Sequence, residues 1–69
     1  MKRIEKFNLA MQLLKQNNIT PSDKRLCLNC SGEIVIHSKQ LKNCIIIPPQ
    51  ATARTIKSVI DMQVMIAKA

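Results

Sequence analysis

A chain of 69 residues with one Phe, no Trp, no Tyr and three Cys has room for one small domain and no aromatic core. Eleven Lys and Arg face only Glu5, Asp23, Glu33 and Asp61, a formal net charge of +7, which points to acidic or polyanionic partners and leaves four single acids too scattered to pair in catalysis. No apolar run reaches the roughly 18 residues of a membrane span.

The core must come from Ile, Leu, Val and Met. So small a core nets only about 3–5 kcal/mol, because ordering each residue costs roughly 1.5 kcal/mol. Residues 1–69 are therefore expected to form a single α+β domain that gains support from a second copy or another partner.

Ile4, Phe7, Met11 and Leu14 recur at i, i+3, i+7 and i+10, with Ala10 and Leu13 beside them. That is one apolar helical face, so residues 2–17 are predicted helical. Lys2, Arg3, Glu5, Lys6, Gln12 and Lys15 fill the polar side. Gln16-Asn17-Asn18 reads as the end, because Asn tolerates the left-handed conformation that closes helices. Met-Lys-Arg resembles the start of a signal peptide, but Glu5, Asn8 and Gln12 interrupt any apolar stretch after it. A cytoplasmic location is expected, and an odd number of cysteines fits a reducing compartment.

Thr20-Pro21-Ser22-Asp23 has the form of a helix start, with Thr as cap, Pro in the first turn and an acid at the third position. The KRLCLNC that follows alternates with period two, which suits a strand. The expected reading is a strand at 24–29 turning at Cys30-Ser31-Gly32. The alternative is a short second helix, giving a helix-turn-helix-like start.

Ile34-Val35-Ile36 and Ile45-Ile46-Ile47 are β-branched runs too short for helices, and they read as the arms of an antiparallel hairpin. The first strand, 33–38, sets Ile34 and Ile36 on one face and Val35 and His37 on the other. A loop near 38–43 carries Lys39 and Lys42. The second, 44–47, is apolar on both faces, which predicts a central strand or one covered by a partner. Pro48-Pro49 ends it, having no N–H to donate.

Residues 50–68 form the second predicted helix. Arg54, Lys57, Ser58, Asp61 and Lys68 outline its polar side. Ile56, Val59, Ile60, Met62, Val64, Met65 and Ile66 exceed what one small sheet face covers. The architecture is thus helix, a small antiparallel sheet of two or three strands, and helix, with the helices on one sheet face.

Cys27, Cys30, His37 and Cys44 read C-x2-C-x6-H-x6-C. Four soft ligands could hold zinc in a tetrahedron, but the gaps are much longer than in a zinc knuckle, and a strand sends Cys27 and Cys30 to opposite faces. The expected reading is buried cysteines and an exposed His, with no metal or cofactor. A redox CxxC needs a helix N-terminus behind it. With one glycine there is no phosphate-cradling loop. The chain is expected not to be an enzyme.

Two function classes remain. The expected one is a small regulatory protein, a homodimer or a partner-dependent monomer tied together through the second helix or the 44–47 strand, that binds another protein such as a transcription regulator or nuclease as an inhibitor or antirepressor. Its contact surface is Ile56, Val59, Ile60, Met62, Met65 and Ile66, which also suits a homodimer. The alternative is direct DNA or RNA binding through Lys39, Lys42, Arg54 and Lys57, with phosphate contacts rather than base stacking, since no aromatic side chain interleaves the cations. Richness in Lys, Asn and Ile fits a small gene of an AT-rich bacterium or its mobile elements.

Overall fold

The computed structural model describes residues 1–68. Its elements run α1 (Arg3–Gln16), β1 (Ile34–Ile36), β2 (Ile45–Ile47) and α2 (Ala53–Lys68). This is the α+β order read from the sequence.

α1 begins where Glu5 folds back and its Oε1 accepts the Lys2 N–H at 2.9 Å. It ends as the Asn residues suggested. Asn18 takes φ 61°, and the Ile19 N–H returns to the Leu14 carbonyl at 2.9 Å, closing an orphan acceptor. The buried stripe is Lys6, Phe7, Ala10 and Leu14, with Met11 half-buried. Ile4, expected on this face, is exposed. The stripe is rotated towards Lys6, Ala10 and Leu14, one turn apart from each other, and Ile4 falls on its margin.

β1 and β2 pair antiparallel with Ile34 opposite Ile47, Val35 opposite Ile46 and Ile36 opposite Ile45. Period two then puts Ile34, Ile36, Ile45 and Ile47 on one face, and all four are buried. Both strands are shorter than predicted. The 24–29 segment is not a full strand: only Leu28 bridges, antiparallel to Ile34. Its backbone gives two ladder bonds, Val35 N–H to Cys27 carbonyl at 3.0 Å and Asn29 N–H to Glu33 carbonyl at 3.1 Å. Upstream, the Asp23 carboxylate accepts the Arg25 N–H at 2.9 Å, an Asx-type turn that holds residues 23–25 out of extended geometry. The alternative helix is absent from 21–30 as well.

The turn after Leu28 is built by Asn29. Its Oδ1 accepts the N–H of Ser31 and of Glu33, both at 3.0 Å, and its carbonyl accepts the Gly32 N–H. Gly32 completes the reversal at φ +79°, where a side chain would be strained.

The expectation of a central β2 is corrected by this pairing. β1 lies between the Leu28 segment and β2, so β2 is an edge. Because Val35 gives its N–H to Cys27, the opposed Val35–Ile46 pair is a non-bonded one. The Ile46 backbone therefore faces outward, and its side chain is 42% exposed.

After β2, the Ala51 N–H bonds the Pro48 carbonyl at 3.1 Å, and α2 starts at Ala53, three residues later than predicted. The Thr52 Oγ1 accepts the Thr55 N–H at 3.3 Å, an N-cap contact. Ile56, Ile60 and Val64 are buried along α2. α2 lies on β2, and α1 packs along α2. α1 thus joins the core mainly through the other helix, not through the sheet face. Ile45, Ile47, Leu14, Ile56 and Ile60 form the deepest part of the one core cluster.

Candidate interaction surfaces

α2 divides into three sectors. Ile56, Ile60 and Val64 belong to the core, with Gln63 and Ala67 half-buried beside them. Arg54, Lys57, Asp61 and Lys68 form the solvated side. Between these lies a second apolar stripe, Val59, Met62 and Ile66 at i, i+3 and i+7, with Met65 at its outer margin. Such spacing puts the three side chains over one another. Met62 and Met65 are 61% and 72% exposed, and Val59 and Ile66 are half-buried. Of the six residues expected to meet a partner, Ile56 and Ile60 are wholly consumed by the chain's own core. Val59 packs partly against that core as well, so Met62, Met65 and Ile66 remain, with the outer side of Val59.

Lys39 and Lys42 stand in the β1–β2 connection and Arg54 and Lys57 in the first turns of α2, all exposed. Two adjoining recesses meet at Thr20-Pro21. One, of about 390 Å³, is lined by Met11, Lys15, Ile19, Thr20, Pro21 and Lys24. The other, of about 340 Å³, takes Thr20 to Ser22 with Lys39 and Gln40. Lys15 and Lys24 line the first recess and Lys39 the second. The Gln40 side chain holds this region together: its Oε1 accepts the Thr20 N–H at 2.6 Å and its Nε2 donates to the Asn18 carbonyl at 2.8 Å. The Ser38 hydroxyl adds a bond to the Thr20 carbonyl at 2.8 Å.

The acids do little to offset the cations. Glu5 caps α1, Asp23 accepts from the Arg25 backbone and the Cys27 thiol, and Glu33 accepts from Asn29 Nδ2. Asp61 is exposed on α2. None of these bonds is an ion pair, and with the four acids counted the net charge is still +7.

The zinc constellation does not assemble. Among the described residues, no three His, Cys, Asp or Glu side chains group so as to hold a metal ion. Cys27 and Cys44 are half-buried, Cys30 is exposed in the turn, His37 is exposed, and the three thiols are free.

One feature was missed by the sequence reading. Lys6, assigned to the polar side of α1, is only 8% exposed. Its ammonium donates to the Pro49 carbonyl across the fold. A signal existed in principle, since Lys6 continues the i, i+4 row of Ala10 and Leu14, but a lysine at such a place is ordinarily taken for surface. Among the described residues no helix is long and apolar enough to cross a membrane. Comparison with protein-family models, with curated proteins and with solved structures returned no match.

Proposed function

We propose that this chain is a small, basic, non-enzymatic regulatory protein that acts by binding another protein through the outer flank of α2. The observation that carries this reading is the second apolar stripe of α2. A helix needs one such face to join its own core; Met62 and Ile66 extend a second one outward from Val59, which itself touches the core, with Met65 beside it. Flexible Met side chains adapt to a partner's relief. The same stripe suits self-association, and a transcription regulator or nuclease is the partner class that a basic inhibitor of this size would fit.

The test is capture from a cell extract followed by mass spectrometry, alongside sedimentation of the purified chain. Met62→Lys and Ile66→Lys should each abolish capture or self-association while the fold is retained, because an unpaired charge buried at an interface costs several kcal/mol. Neutralising Lys39 and Lys42 should leave capture intact.

Direct nucleic-acid binding is the second reading, favoured by the open positive surface. It predicts that duplex affinity falls with salt at a log–log slope of about −0.9 per phosphate contact, and that losing Lys39 and Lys42 lowers that slope by up to about two units. Submicromolar duplex binding at physiological salt that depends on those two lysines would overturn the protein-binding reading.

A further inference from the structure

We infer that the cavity between the first turn of α1 and the Gly32 turn is a binding site for a small oxyanion, a phosphate group being the occupant its charge matches. The cavity holds about 190 Å³ and is lined by Met1, Arg3, Lys6, Gly32, Ile34 and Pro49. Arg3 and Lys6 stand at i, i+3 on α1, so two like charges project to the same side. Left alone, that pairing works against the helix. A negative group between them turns it into a clamp.

Lys6 makes this more than a basic surface. Its side chain is more than nine-tenths buried, and one neutral acceptor, the Pro49 carbonyl, meets its ammonium. An ammonium has three N–H donors, and a buried charge is ordinarily paired with an opposite one. No carboxylate lines the cavity. Glu5, the nearest acid in sequence, keeps its charge at the helix start, where it accepts the Lys2 N–H, and Glu33 accepts from Asn29 Nδ2; neither carboxylate bonds the Lys6 ammonium.

The helix adds to the same field. The first helical N–H to find a backbone acceptor within α1 is that of Lys6, which bonds the Lys2 carbonyl at 3.0 Å. The amides of Arg3 and Ile4 come before it and lack an intrahelical acceptor. The Glu5 carboxylate at the helix start accepts the Lys2 N–H and offsets part of the dipole there, so the two cations supply most of the field. A carboxylate would neutralise one of them. A phosphate dianion answers both, and the Arg3 guanidinium can grip two of its oxygens at once.

The site shares no residue with the α2 flank, so its test is independent of the proposed function. Amide NMR of the full chain should be titrated with inorganic phosphate, methyl phosphate and acetate, with chloride holding ionic strength constant. Saturable shifts at Gly32, Ile34 and the first turn of α1 are expected with phosphate. Acetate should bind about tenfold more weakly, and Arg3→Gln should weaken phosphate binding by about tenfold or more, the loss of one charge-assisted contact. Lys6→Met should abolish the shifts. If that variant does not fold, Arg3→Gln, at an exposed position, carries the test alone. A response to methyl phosphate assigns the site to phosphomonoesters, and a response to the free ion alone assigns it to inorganic phosphate; both support the inference. No saturable shift, shifts undiminished in Arg3→Gln, or acetate binding as tightly as phosphate would overturn it.

Discussion

Replacing Ile60 with Val asks how α2 divides its apolar residues between the core and the surface. Ile60 is wholly buried. Losing one methylene forfeits about 0.8 kcal/mol of transfer energy, and the unfilled space brings the expected cost to about 0.5–1.5 kcal/mol. For a domain of this size each kcal/mol lowers Tm by about 4–8 °C. Ile60→Ala is the wrong choice, since its cost of about 2–5 kcal/mol rivals the whole stability expected of so small a core. Met65→Ala is the matched control: at 72% exposure it should change stability by no more than about 0.5 kcal/mol. The chain has no Trp or Tyr, so melting is followed by far-UV circular dichroism. Equal Tm for Ile60→Val and the parent would refute the burial argument. A Met65→Ala penalty that grows with protein concentration would instead place Met65 between two copies.

Gly32→Ala should destabilise by about 1 kcal/mol through its positive φ alone, because an added Cβ meets nothing within 4 Å; urea melts with an unchanged slope check this. Gln40→Ala should speed hydrogen exchange at the Thr20 amide, whose bond it removes, while amides at the centre of α1 stay protected. Unchanged exchange at Thr20 would mean that Gln40 does not hold the two loops together.

The hairpin was legible because its signal is local: Ile34 to Ile36 and Ile45 to Ile47 are β-branched, and the prolines that follow cannot extend the ladder. The ends of α1 were legible for the same reason, Asn18 carrying its own left-handed preference. Thr52 was readable as a cap and went unread, since the helix pattern was extended back to the prolines. Other features depend on distant neighbours. The alternation of 24–29 predicted a strand, yet its pairing is limited to Leu28 by a side chain, Asp23, that folds the segment before it. The apolar content of α2 was read correctly in total but not in allocation, because only the position of α1 and β2 decides that Ile56 and Ile60 face inward. Lys6 is the clearest case: its burial rests on a carbonyl supplied by Pro49, far along the chain.

The packing of α1 along α2 has a consequence for how the chain is made. The hairpin closes contacts between residues that leave the ribosome close together, so it can form early. α1 emerges before the hairpin, yet its main partner, α2, emerges after it. Short helices are marginal alone, and contacts across so long a stretch of chain form late. Until α2 is made, Phe7, Ala10 and Leu14 are expected to lack the cover that Ile56, Ile60 and Val64 give them. Before α2 arrives, the state expected is a hairpin with a loose apolar segment ahead of it.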